Sequence, residues 1–136
     1  MTTKTPTANV DKSLYLNYYK KTIEFRDTMR QALAERRWNA ASLTAIHAGI
    51  SGNDALLVYY HGKRSISQKH DDAIRLLKSL MNDDKAIKAA NHFSKLIYYK
   101  NLVEYESRLF THDEAYTITK HAERFLEYVE SMLPKD

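Results

Sequence analysis

Apolar residues recur along this chain at spacings of three and four and show no strand pattern, so the periodicity predicts helices. Tyr18, Thr22, Phe25, Met29 and Ala32 share one face, with Leu33 beside them, and Asp11 or Ser13 is a suitable N-cap for this first helix. A second helix is predicted from Trp38 to His61. It carries a stripe of small residues, Ala41, Ala45, Ala48, Gly52 and Ala55, which lets another backbone approach closely. That partner is the first helix, the fifth, or the same helix of a second subunit. Gly62 is a left-handed stop. A short third helix, Lys69 to Met81, is capped by Ser67, has Asp71 and Asp72 in its first turn, and buries Ala73, Leu76, Leu77 and Leu80. Asn82-Asp83-Asp84 breaks and recaps the chain. A fourth helix then runs from Lys85 to Glu106 with Ile87, Ala90, Ser94, Ile97, Asn101 and Tyr105 on one face, broadened by Phe93, Leu96, Tyr98 and Leu102. Thr111 to Glu114 is a capping box. It opens a fifth helix, Asp113 to Leu133, with the core stripe Ala115, Ile118, Ala122, Phe125, Val129 and Met132. Five helices with short links predict an all-α, up-and-down antiparallel bundle over residues 11–136, after a flexible lead-in over residues 1–10.

The chain has 136 residues, enough for one domain with its own core. Its two prolines, Pro6 and Pro134, lie near the ends, so nothing between them breaks a helix by ring closure. There is no cysteine, which excludes a disulfide framework, a thiolate zinc site and a cysteine nucleophile. No apolar run approaches the roughly 20 residues that span a bilayer, and the polar start has no apolar segment of the signal-peptide kind. The expectation is a soluble, cytoplasmic protein without a cofactor. Lys and Arg number 21 against 17 Asp and Glu, an excess of 4 that permits a polyanionic partner without requiring one.

Candidate chemistry concentrates between His47 and Leu77. His47, Asp54 and His61 share one side of the second helix, but seven residues separate successive members, about 10.5 Å of rise. They cannot ligate one ion together, and no His-x-x-His or Glu-x-x-His pair joins them, so no metal site is expected. Asp54 lies at or beside the apolar face, where a carboxylate needs a partner. The candidates are Lys100, Arg108, His70 or a tyrosine hydroxyl. It is either a polar tie that sets helix register or a carboxylate in a cleft that orients a basic or hydroxyl group. The segment Lys63 to His70 is basic. Tyr98, Tyr99 and Tyr105 suit core filling with the hydroxyl at the rim. Arg108 and His112 stand near the end of the fourth helix. No phosphate loop, nucleophile elbow or paired-carboxylate pattern is present.

The stretch AIHAGISGNDALLVYYHGKRSISQKHDDAIRLL resembles the second and third helices of HEPN-domain proteins. The match runs through His47 to Ile50, Asp54-Ala55-Leu56, Gly62-Lys63-Arg64-Ser65, His70, and Ala73 to Leu77. Downstream, Leu96 to Lys100, Tyr105-Glu106 with Arg108, Glu114-Ala115 and the helix Ala122 to Leu133 continue it. The resemblance implies an up-and-down helical bundle, commonly a homodimer, here through Ala41–Ala55 or the fourth helix. It also implies that active members are metal-independent endoribonucleases, often toxins or phage-defence factors, with an Arg and, after four to six intervening residues, a His near the dimer cleft. Here the matching positions read Lys100-Asn101-Leu102-Val103-Glu104-Tyr105. Lys100 keeps a cation without the bidentate fork, whereas Tyr105, with an ordinary pKa of about 10, is a poor base at neutral pH. The resemblance therefore points to a non-catalytic module that binds a nucleotide, RNA or a protein partner, with Asp54, His70, Lys100, Asn101 and Arg108 as binding candidates. The alternative, an active ribonuclease, would draw on Lys100, Tyr105, Arg108 and His112. A structural helical adaptor is the third reading.

Overall fold

In the structure, a computed structural model that describes residues 6–67 and 70–135 without the side chains of His70, Glu104 and Tyr105, five helices carry the chain. They are α1 (Tyr15–Ala34), α2 (Trp38–His61), α3 (His70–Leu80), α4 (Asp84–Tyr105) and α5 (His112–Met132). Local chemistry sets their ends. Asp11 accepts from both the backbone N–H and the hydroxyl of Ser13, opening a 3₁₀ turn, Lys12–Leu14, that leads into α1. Asp83 caps α4 by accepting from the Ala86 N–H, and Thr111 with Glu114 forms a complete capping box on α5. Gly62 ends α2 at φ 61°, as its sequence position implies. Arg36 also adopts a positive φ, 62°, at the turn between α1 and α2, a position that usually falls to glycine. Among the described residues no helix is long and apolar enough to cross a membrane.

Side-chain pairs show how the helices run. Tyr15 meets Tyr59 and Phe25 meets His47, so α1 and α2 are antiparallel. Trp38 meets His112 while Tyr60 donates to the Met132 carbonyl, so α2 and α5 are parallel. His92 meets His121 and Phe93 stacks on Phe125, with Ala89 and Tyr128 lining one groove, so α4 runs against α5. The result is an all-α bundle in which the short α3 reverses the chain between α2 and α4.

Helix α2 is the axis of this bundle. Thirteen of its 24 residues are buried, and they fall on every side of the helix, the signature of a helix enclosed by others rather than lying on a surface. All five members of the small-residue stripe are buried. A Cβ added at Gly52 would stand 3.1 Å from Leu126 of α5 and 3.5 Å from Thr22 of α1. At Gly52 the stripe therefore packs against α1 and α5 of the same chain, two of the partners its sequence suggests.

Two expectations change. Thr7–Asn9 of the lead-in is a strand, β1, paired antiparallel with β2, Lys63–Ser65, in the register Thr7 with Ser65, Ala8 with Arg64 and Asn9 with Lys63. The Val10 N–H to Gly62 carbonyl and Ile66 N–H to Pro6 carbonyl bonds extend the ribbon at both ends. Three-residue strands are too short to show an alternating pattern. On α4 the buried side is Ala86, Ala89, Ala90, Phe93, Leu96 and Ile97, whereas Ile87 is 43% and Tyr98 58% exposed. A period of 3.6 fits both stripes. Packing selects the one whose alanines admit neighbouring helices and whose Phe93 can stack on Phe125, with ring centroids 4.9 Å apart.

Gly49 tests the enclosure of α2. A Cβ there would stand 2.5 Å from Leu96 Cδ1, in the fully buried core. Gly49→Ala gains about 1 kcal/mol of helix propensity but overpacks by about 1–3 kcal/mol. Urea unfolding is expected to show a net loss, and Leu96→Val in the same chain should recover part of it.

Candidate functional site

Because Gly52–Val58 of α2 are buried without a break, a polar side chain there is largely withdrawn from water. Asp54 is 7% exposed. Its partner is Arg64 of β2, with Nη2 3.5 Å from Oδ2. Arg64 is not in the expected set of Lys100, Arg108, His70 or a tyrosine, of which the His70 side chain lies outside the described residues. The chain after Gly62 doubles back along α2, and β1 holds it there, so a residue only ten positions on returns to Asp54. The Arg64 guanidinium also lies over the Tyr18 ring, 5.4 Å from its centroid.

Burial pushes the Asp54 carboxyl up to about 6; the charge and hydrogen bond of Arg64 and the more distant charge of Lys21 pull the other way and lose. Beside it, Asn53 is 1% exposed and its Oδ1 has no hydrogen-bond partner among the described residues, as is true of the buried Nε of Arg64. All three residues open on one cavity of about 160 Å³. Ile50, Ala73 and Phe93 supply its apolar wall and Ser65, Ile66 and Ser67 its rim. The rim is tied down locally, since the Ser67 N–H donates to Ser65 Oγ and the Ser67 hydroxyl donates to Asp72 at 2.6 Å. Asp72 also pairs with Arg75. A buried carboxylate, an unpaired amide oxygen and an unpaired guanidinium N–H in one small cavity form a site that offers two acceptors and a donor.

The other sequence candidates lie elsewhere. Lys100 stands beside His47, whose imidazole pKa is lowered by burial and then by the Lys100 charge; along α2 this is two turns from Asp54, about 10 Å. Asn101 is half-buried one residue on. Arg108 donates to both carboxylate oxygens of Glu114 at 2.7 Å and to Glu106 at 2.7 Å. Those bonds hold the Arg108 pKa above its ordinary value and, with the Thr111 N–H, hold Glu114 down at about 2. Arg108 thus clamps the capping box of α5. His112 packs edge-on against Trp38, 4.7 Å between centroids, and contacts Asp113 at 3.1 Å. The structure does not bring Arg108 or His112 to Asp54. The side chains of His70 and Tyr105 lie outside the described residues. Among the described residues no group of three or more His, Asp or Glu side chains is placed to hold a metal ion.

Asn53 and Arg64 are the site residues that sequence reasoning missed. Arg64 belongs to the basic segment, but only the ribbon selects it over Lys63; Asn53 gives no signal without knowledge that α2 is enclosed. No protein-family model matches the chain, and comparisons with curated proteins and with solved structures return no significant match.

The raised pKa of Asp54 has a defined sign. Its folded value lies above its ordinary 3.8, so its contribution to stability is fully present below about pH 4 and is lost as pH rises through about 6. The full difference is about 3 kcal/mol. Asp54→Asn is therefore expected to raise stability at neutral pH by up to about that amount, with the gain vanishing near pH 4. Denaturant titrations at the two pH values check this; an equal loss at both would make the carboxylate a structural tie.

Proposed function

We propose that this chain is a non-catalytic, HEPN-like binding module that takes a small flat hydrogen-bonding group, the base of a nucleotide or of an RNA strand, into the cavity beside Asp54. The observation that carries the reading is the Asn53 amide oxygen, buried and without a partner among the described residues, next to a carboxylate that burial makes costly. Leaving such groups unpaired costs about 1–3 kcal/mol each, and a ligand edge with two donors and one acceptor satisfies Asp54, Asn53 and Arg64 together. A volume of about 160 Å³ suits one ring system rather than a whole nucleotide, which leaves sugar and phosphate outside. The half-buried Ile50 and Ala73 offer an apolar surface to such a ring. In this proposal the module is cytoplasmic and works as a homodimer. With the small-residue stripe buried, the outward side of α4, where Ile87 and Tyr98 are exposed, is the remaining expected contact.

The nuclease alternative draws no support from the placement of Arg108 and His112. The Arg108 guanidinium is engaged by two carboxylates and His112 by Trp38 and Asp113. The adaptor reading predicts that Asp54→Asn changes stability and nothing else.

Calorimetric titration with the four common nucleosides, and native mass spectrometry of the purified protein, test the proposal. At least one nucleoside is expected to bind, with Asn53→Ala and Asp54→Ala weakening it about tenfold or more. Absence of binding, or equal affinity in both variants, rejects it.

A further inference from the structure

On the far side of α4 lies a second opening, of about 300 Å³, between α4 and α5. Lys85, Lys88 and His92 stand on its α4 wall, and Arg124, Glu127 and Tyr128 on its α5 wall. Tyr128 is 8% exposed, and its hydroxyl is buried without a hydrogen-bond partner among the described residues. At its edge the Nδ1 atoms of His92 and His121 are 2.9 Å apart. One ring donates an N–H and the other accepts, so the pair bridges the two helices.

We propose that this groove is an anion site for a phosphate group, and that the His92–His121 pair takes up one proton as the anion binds. Three full cations line the opening against one carboxylate, Glu127, which already faces Arg124 at 3.9 Å. Two imidazole nitrogens this close would also suit a metal. The surroundings oppose one: Arg124 and Lys120 act on His92, and Lys95 and Lys120 on His121, against Glu127 alone.

The proton has a definite place. In the neutral pair the donor ring has its Nδ1–H in the shared bond and its Nε2 bare, while the acceptor ring has its proton on Nε2. One added proton goes to the bare Nε2 without breaking the Nδ1–H···Nδ1 bond. Both rings then present an Nε2–H, and the pair carries a single positive charge. Burial and the neighbouring cations lower the pKa of each ring in the empty groove. An anion cancels the field of Lys88, Lys95, Lys120 and Arg124 and so favours that proton.

Sulfate is the probe, because its charge does not change in the range where histidine titrates. Calorimetric titration at constant ionic strength is expected to show binding that tightens as pH falls from about 8 to about 6, by at most about tenfold per pH unit, the limit for one proton. Buffers of different ionisation enthalpy should report the proton taken up. Lys88→Ala and Arg124→Ala, both at exposed positions, should each weaken binding about tenfold. Lys20→Ala, on the exposed side of α1, should not. His121→Gln should retain binding but lose most of the pH dependence. Competition by inorganic phosphate assigns the site to a free anion, and competition by a short RNA oligonucleotide alone assigns it to a phosphodiester; either supports the proposal. It is overturned if neither competes, if sulfate does not bind, if Lys20→Ala weakens binding as much as the groove variants, or if zinc binds at the histidine pair and sulfate does not. The nucleoside titration of the Asp54 cavity involves none of these residues, so the two proposals fail separately.

Discussion

The enclosure of α2 is the constraint from which the rest of the molecule follows. A helix wrapped by others cannot carry large residues on every side. Glycine at 49 and 52 and alanine at 41, 45, 48 and 55 bring Leu96 of α4, Leu126 and Val129 of α5 and Thr22 of α1 close to its backbone. Each glycine gives up about 1 kcal/mol of helix propensity, a cost offset by packing on several sides at once. The same enclosure removes the solvent face on which a carboxylate would normally sit. Asp54 and Asn53 are consequently interior polar groups on the most enclosed helix.

The balance at Asp54 separates a structural tie from a retained cost. A carboxylate whose pairing outweighed its desolvation would sit below its ordinary pKa, as Glu114 does under Arg108. Asp54 sits above it. At 3.5 Å the Arg64 bond is long, and part of the guanidinium faces Tyr18 instead. The pair therefore does not repay the burial of its anion. An unpartnered amide oxygen on Asn53 and an unpartnered guanidinium nitrogen on Arg64 add to that retained cost beside the same cavity.

How much of this was legible in the sequence depends on whether the signal is local. The limits of α2, the αL glycine at 62 and the capping box at Thr111 are written in neighbouring residues, and the structure follows them closely. On α4 the expected Ala90, Phe93, Leu96 and Ile97 are buried, but Ile87 and Tyr98 look like core and are not, because only tertiary packing sets where around the helix the buried side ends. The ribbon was invisible because Thr7–Asn9 and Lys63–Ser65 are short and far apart in the chain. Arg64 inherits that invisibility, and with it the true partner of Asp54. The meeting of His92 with His121, 29 positions away, depends on the α4–α5 register in the same way.

The two sites also bear on acid stability in opposite directions. Asp54, with its pKa raised, adds stability as pH falls from about 6 to about 4. The histidine pair, with both pKa values lowered from 6.5, contributes stability fully above that value and loses it as pH falls below. Their effects overlap and partly cancel, so a flat stability profile across this range would not mean that neither titrates. Phe93 faces the Asp54 cavity and His92 the groove, adjacent residues about 100° apart on one turn of α4. That turn is pinned by the stack of Phe93 on Phe125, and a close-packed interior of this kind shifts as a unit or not at all. The carboxylate cavity and the basic groove thus lie on two sides of one turn of α4.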